Sequence, residues 1–202
     1  MYNRENTQRK DSAMAREFEL KYQASPEILE KVQRKYGDFV EISMETTYYD
    51  TPERDLKRLR WTLRRRLENG RSVCSLKTPG DFIRRGEWEV ESPCLENAIA
   101  DLLALGAPDA LGAYAAKGLS PVCGARFLRR AALLTLPEGT VELALDQGVF
   151  LGGGREQPFS EIEVELKTGC ETAALTFGAQ LAQEYCLTPE TKGKVERAMA
   201  LA

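Results

Sequence analysis

The chain has 202 residues, with 28 Lys and Arg against 31 Asp and Glu, for a net charge of −3. That near balance gives no general case for nucleic-acid or membrane binding, so any cationic site must be local. Histidine is absent, which excludes Ser-His and Cys-His nucleophiles and His-ligated metals; a metal here would sit on carboxylates and be a hard ion such as Mg²⁺ or Mn²⁺.

Residues 1–14 are polar, lack the apolar stretch of a secretory signal and read as a disordered tail, leaving 15–202 as one domain. Glu17, Glu19 and Lys21 then alternate with Phe18, Leu20 and Tyr22, the mark of a strand with two unlike faces. Ser25-Pro26 supplies an N-cap and a first-turn proline for a helix that stops at Gly37. A strand is expected around Asp38–Asp50. Arg60, Thr62, Arg64 and Arg66 alternate with Trp61 and Leu63, although Arg65 breaks the apolar face. Asn69-Gly70 signals a hairpin into the next alternating run, where Ser75 and Lys77 oppose Cys74 and Leu76. Pro79-Gly80-Asp81 has turn chemistry, and beyond it Arg85, Glu87, Glu89 and Glu91 alternate with Trp88 and Val90.

Leu95–Leu105 has helical spacing and ends at Gly106, and a short helical piece covers Asp109–Lys117. A strand over Val122–Leu136 turns at Pro137-Glu138-Gly139 into a run in which Glu142 and Asp146 alternate with Val141, Leu143 and Leu145. After the loop Gly152-Gly153-Gly154, Glu161, Glu163, Glu165 and Lys167 alternate with Ile162, Val164 and Leu166. Two helices, Glu171–Tyr185 and Pro189–Leu201, complete the chain, for a total of eight strands in an α+β fold. The five cysteines form no CxxC pair and fit reduced thiols in a cytoplasm, and no run of apolar residues is long enough to span a membrane.

One strand with a charged face ordinarily turns it to water. Here arginines cluster on one strand and carboxylates come in i, i+2 pairs on others, and like charges so placed repel unless something sits between them. The expectation is a closed eight-stranded antiparallel β-barrel, apolar faces outward under the helices and polar faces lining a wet tunnel. Lys21, Arg64, Arg66 and Lys77 suit phosphate oxygens, whereas Glu17, Glu19, Glu163 and Glu165 suit divalent cations. A metal-complexed phosphate needs both sets at once.

The same residues carry a family resemblance. Glu17-Phe18-Glu19-Leu20-Lys21 resembles the ExExK signature of the CYTH domain, in the triphosphate tunnel metalloenzyme superfamily. The match continues in order through Thr47-Tyr48-Tyr49-Asp50-Thr51-Pro52, Leu63-Arg64-Arg65-Arg66, Leu76-Lys77, Arg85-Gly86-Glu87-Trp88-Glu89, Arg126 to Arg130, Glu161 to Lys167 and Lys194-Val195-Glu196-Arg197. The resemblance implies an eight-stranded tunnel, Mg²⁺ or Mn²⁺, and a small molecule bearing a triphosphate. Because the chain ends soon after the barrel, the additional helical phosphate-binding domain of some members is not expected, and a monomer or homodimer is.

Resemblance and chemistry together put the metal on Glu17, Glu19 and Glu165, with Asp146 and Glu163 close by. Carboxylates two residues apart on a strand stand roughly 6.6 Å apart along the chain and can converge on one ion or on two neighbours. Lys21, Arg64, Arg66, Lys77, Arg129 and Lys194 are the expected phosphate clamps, Arg129 being preferred over Arg126 and Arg130. Glu87 and Glu89, with Lys77, are the candidate catalytic groups, as ligands, water-positioning groups or base. Glu91 and Glu161 are read as facing the tunnel mouth or solvent, and Tyr48, Tyr49 and Trp88 as wall packing rather than a base-stacking platform. The expected activity is metal-dependent hydrolysis of a terminal phosphoanhydride, with inorganic tripolyphosphate as substrate. The alternatives are a class IV adenylate cyclase, a thiamine-triphosphatase, or a non-catalytic polyphosphate- or nucleotide-binding module.

Overall fold

The computed structural model describes residues 18–81 and 84–202, and no side chain between 80 and 85. Its elements run β1 (Glu19–Gln23), α1 (Pro26–Tyr36), β2 (Val40–Asp50), α2 (Asp55–Arg58), β3 (Thr62–Glu68), β4 (Arg71–Asp81), β5 (Arg84–Glu91), α3 (Leu95–Ala104) and α4 (Ala110–Ala116). They continue with β6 (Ser120–Leu136), β7 (Gly139–Gly152), β8 (Arg155–Gly169), α5 (Glu171–Tyr185), β9 (Thr188–Pro189) and α6 (Lys194–Met199).

The strands form one antiparallel sheet of nine, ordered β5-β4-β3-β2-β6-β7-β8-β1-β9. The expected closed eight-stranded barrel is therefore corrected to an open sheet, with β5 and β9 as its edges among the described residues. A local cause is the ninth strand. Thr188–Pro189 occupies the outer edge of β1, pairing as Tyr22↔Pro189 and Gln23↔Thr188. The pairing is brief and is followed by a bond from Glu190 N–H to the Lys21 carbonyl at 2.8 Å. The expected helix from Pro189 is correspondingly shorter, starting only at Lys194. The sheet is strongly curved nonetheless, because residues of both β1 and β5 line a single cavity.

The turns behave as their residues dictate. Asn69 and Gly70 take φ 49 and 85, and Gly153 and Gly154 take φ 57 and 70, the paired left-handed conformations of tight hairpins. Pro79-Gly80-Asp81 is not the turn expected. The strand continues to Asp81 with a register shift after Thr78, and residues 82 and 83 lie outside the described residues. One short helix, α2, has no periodicity to announce it. It is held by Asp50, whose carboxylate accepts hydrogen bonds from the backbone N–H groups of Thr51, Leu56 and Lys57 at 2.8, 2.9 and 3.1 Å.

Outward apolar faces are covered by helices. Leu143, Leu145, Ile162 and Val164 pack with Leu29 and Val32 of α1 and with Phe177 and Leu181 of α5. Leu63, Cys74 and Leu76 pack with Leu95, Ala98 and Leu102 of α3 and Leu111 of α4. A third cluster lies on the inner face, where Ala198 of α6 meets Met44, Tyr48, Phe127 and Phe150. Through it α6 sits over one end of the curved sheet. All five cysteines are free thiols, and no helix among the described residues is long and apolar enough to cross a membrane.

Candidate active site

The concave face encloses a cavity of about 750 Å³ lined by charges of both signs. Strand alternation puts them there. Register aligns Glu19 with Glu165 and Glu165 with Glu142 across β1, β8 and β7. Lys21 aligns with Glu163, and Arg129 aligns with Asp146 and Asp146 with Glu161. On the other side, Thr62, Lys77 and Glu87 align across β3, β4 and β5, as do Arg64, Ser75 and Glu89. The cavity thus has an acidic wall on β1, β7 and β8 and a basic wall on β3 and β4 rimmed by the glutamates of β5.

Of the residues singled out in the sequence, Glu19, Lys21, Arg64, Arg66, Lys77, Glu87, Glu89, Arg129, Glu163, Glu165 and Lys194 all line this cavity. Glu17 lies outside the described residues. Asp146 does not line it; its side chain is wholly buried beneath the acidic wall. Arg126 instead pairs with Glu156 at 3.3 Å on the surface, and Arg130 bonds Gln33 on α1. Tyr49 and Trp88 pack outward under α3 and α4, whereas Tyr48 lines the cavity while buried in the inner cluster.

Several site residues had no weight in the sequence. Glu142 and Lys167 extend the acidic wall, Lys167 lying 2.9 Å from Glu165 and 3.5 Å from Glu142. Glu142 stood in the correct alternating run, so the signal for it was register. Glu161 is the clearest departure. It does not face a mouth or solvent but is wholly buried, in contact with Lys194 and Arg197. Glu91, by contrast, is exposed and bonded to Arg71 at 2.8 Å.

Charge compensation differs from place to place. At depth, Arg129 takes both oxygens of Asp146 at 2.8 and 2.7 Å and also contacts Glu163. Lys194 reaches Asp146 at 2.8 Å and Glu163 at 2.6 Å, and contacts Glu161. Burial alone would raise Glu163, but the charges of Lys194, Arg129 and Lys21 outweigh it and hold this carboxyl well below the usual range. Burial opposes the charge on Arg129 too, yet Asp146, Glu163 and Glu142 keep it firmly cationic.

Nearer the opening, compensation runs out. Glu19 has Lys21 at 2.6 Å, but burial and the neighbouring charge of Glu163 still push its carboxyl up to about 7. Across the cavity, Arg66 is neutralised by Glu68 at 2.9 Å and Lys77 lies 3.0 Å from Glu87. Arg64 donates Nε–H to Ser75 Oγ at 2.9 Å and forms no ion pair among the described residues. Burial and the adjacent Arg66 make its positive charge less favourable. An anion beside Arg64 and a cation beside Glu19 would each relieve a charge the fold leaves unbalanced. The carboxylate oxygens of Glu19, Glu163 and Glu165 are hard donors suited to Mg²⁺ or Mn²⁺, so the residues present fit such an ion.

Residues 15–199 match the model of the CYTH domain. This chain belongs to the CYTH domain family. The chain is similar to the inorganic triphosphatase of Haemophilus influenzae, 30% identical over 166 residues; the match takes in 79% of this chain but only 47% of that protein's length. Among solved structures, HpAC1 from Hippeastrum, a putative adenylyl cyclase with a dominant triphosphatase activity, superposes with a TM-score of 0.69 at 19% identity, covering 92% of this chain and 96% of its own. The PH1819 protein from Pyrococcus horikoshii gives a TM-score of 0.61 at 24% identity, covering 92% and 99%. At these identities the structural likenesses establish the shared fold of this CYTH chain.

Proposed function

We propose that the chain hydrolyses the terminal phosphoanhydride of a triphosphate with the help of Mg²⁺ or Mn²⁺, and that inorganic tripolyphosphate is its preferred substrate. The observation that carries this reading is the pairing, in one cavity, of Arg64 without an acidic partner among the described residues and Glu19 raised to about 7. A metal-complexed polyphosphate supplies the missing anion and the missing cation together. The name of the Haemophilus influenzae relative supports the choice of reaction.

Glu19 and Glu165, with Glu163 beside them, would hold the metal, and the sequence alternation adds Glu17, which lies outside the described residues, as a further candidate ligand. Asp146 is assigned instead to anchoring Arg129 and Lys194. The bound ion supplies neutralisation of charge on the transferring phosphoryl group. Arg64, Arg66 and Lys77 grip phosphate oxygens from the basic wall, while Arg129 and Lys21 approach from the acidic one. Their fixed positions hold the chain of phosphates along the cavity, and little covalent work is left for the protein. Glu87 and Glu89 stand on β5 at the rim, where either carboxylate can accept a hydrogen bond from the attacking water. Lys77, 3.0 Å from Glu87, is positioned to stabilise the leaving oxygen.

The preference for an inorganic substrate rests on the lining. Among the described lining residues the aromatics are Tyr48 and Phe127, 5% and 7% exposed, so neither offers a free ring to a nucleobase or thiazole. Phosphate release from tripolyphosphate, ATP and thiamine triphosphate, measured with each metal beside an assay for cyclic AMP, tests the reading. Preferential release from tripolyphosphate is expected. Cyclic AMP as the main product, or tight triphosphate binding without turnover, would replace it with the cyclase or the binding module.

A further inference from the structure

Two arginines of β6 that the cavity does not use, Arg126 and Arg130, lie on the outer face of the sheet with Leu128 between them. Across the β2–β6 ladder the register sets Glu41 beside Arg130, Ser43 beside Leu128 and Glu45 beside Arg126. Glu41, Ser43, Glu45, Arg126 and Leu128 are exposed, Leu128 at 39%. The helices leave this strip bare. α1 and α5 cover the outer side of β7, β8 and β1, and α3 and α4 cover that of β3, β4 and β5.

The charges on the strip are ordered but largely uncompensated. Glu41 and Glu45 form no ion pair among the described residues, although each has an arginine directly across the ladder. Arg126 turns instead to Glu156 at 3.3 Å, with both side chains more than half exposed, and Arg130 bonds Gln33 and lies 3.5 Å from Gln147. Exposed contacts of this kind contribute little and exchange readily. β2 therefore presents a row of negative charge and β6 a row of positive charge, about 4.8 Å apart, with an apolar side chain at the centre.

Such a strip is complementary to itself. When two copies meet face to face about an axis that runs along the strands between β2 and β6, the β2 of each lies over the β6 of the other. Glu41 of one copy then faces Arg130 of the other, Glu45 faces Arg126, Ser43 faces Leu128, and every contact occurs twice. On the flanks Leu67, opposite Glu45 on β3, meets Val149, opposite Arg126 on β7. An axis across the strands would instead set Glu41 over Glu45 and Arg126 over Arg130, like charge over like. We propose that the outer face of β2 and β6 is the interface of a two-fold symmetric homodimer, with the two sheets packed in alignment across it. Roughly ten side chains from each copy is fewer than the 20–30 of a standard interface, so the dimer is weak and reversible. The strip shares no side chain with the cavity, so the proposal stands whatever the cavity binds.

Sedimentation equilibrium of the full chain at concentrations from about 1 μM to 1 mM tests it. The parent is expected to pass from monomer to dimer in this range, and to do so at lower concentration in low salt than in high. Two double variants reverse the rows: Glu41→Arg with Glu45→Arg, and Arg126→Glu with Arg130→Glu. Each then opposes like charges and is expected to dimerise at least ~10-fold more weakly than the parent. Mixed in equal amounts, the two oppose unlike charges at every position again, and the mixture is expected to recover the parent's dimerisation. Circular dichroism at low concentration checks that each is folded. Should either fail to fold, Leu128→Asp at the centre of the strip replaces it, with the same loss of dimerisation expected. A parent that stays monomeric throughout, a dimer insensitive to these variants, or reversals that weaken the dimer with no rescue on mixing overturns the proposal.

Discussion

Glu163 and Glu19 are diagonal neighbours across the β8–β1 pairing and point into the same cavity, yet their surroundings hold them in opposite states. Glu163 has Lys194 and Arg129 against it and is held well below the ordinary carboxylate range. Glu19, one step nearer the opening, shares a single lysine with that neighbour and is raised to about 7. Glu163 is buried, whereas Glu19 is the more exposed of the two. What separates them is the number of fixed cations within reach, and that number sorts the acids into a structural floor and an outer row that still needs a cation.

Exchanging acids between these two roles should sharpen the contrast, and the largest effect falls on the outer row. Glu165→Gln should lower kcat for tripolyphosphate by about 10³-fold or more, on the scale of losing a principal electrostatic stabiliser. Its metal-free melting temperature should hardly fall. Steady-state rates and a melting curve on one preparation check both halves. In the floor the signs reverse: Asp146→Asn leaves Arg129 and Lys194 short of a buried partner and should cost about 3–5 kcal/mol of stability, read by urea unfolding. A silent Asp146→Asn would mean that the floor is not load-sharing in this way.

On the basic wall, Arg64→Ala should lower kcat/KM by about 2–4 kcal/mol in transition-state stabilisation, by analogy with removing one oxyanion donor. Arg126→Ala, on the outer surface with Glu156, should stay within about 0.5 kcal/mol of the parent in stability and leave the rate alone. Equal rate losses in the two would erase the distinction between lining and surface arginines.

The pH dependence of the metal-free protein offers a smaller effect with a defined sign. A carboxyl raised from 4.5 to about 7 in the folded state contributes stability that is present below pH 4.5 and is lost as pH rises through about 7. Glu163, lowered by its cations, contributes in the opposite sense, with stability lost as pH falls below its ordinary range. The difference in stability between parent and Glu19→Gln should therefore grow between pH 4.5 and 7 and level off above. Unfolding measured at steps across this window checks it.

Much of the site was legible because a period of two assigns every strand residue to a face. Glu19, Lys21, Arg64, Arg66, Lys77, Glu163 and Glu165 share the inner face for that reason alone. Depth was not legible. Glu161 alternates in phase with Glu163 and Glu165, but it is buried and met by Lys194 and Arg197 of α6, which packs on β6 and β7 and comes from 30 or more residues away in sequence. Closure was not legible either. Eight alternating strands suggest a barrel, while the edges depend on which residues lie beside β1, and there Thr188–Pro189 forms the outermost strand. Arg129 could be picked from three nearby arginines, because Arg126 and Arg130 fall on the opposite face of β6.

The central claim is that the outer acids are held together against their own repulsion for the sake of a metal and a triphosphate. Melting curves of parent and Glu19→Gln at pH 8, each with and without Mn²⁺ and tripolyphosphate, test it most directly. Without ligand the variant should melt higher, by ~2–4 °C if the relief is ~1 kcal/mol in a chain of this size. With both ligands the order should invert, because only the parent gains the full stabilisation of binding. If the ligands raise both proteins equally, Glu19 is not part of a metal site and the account fails.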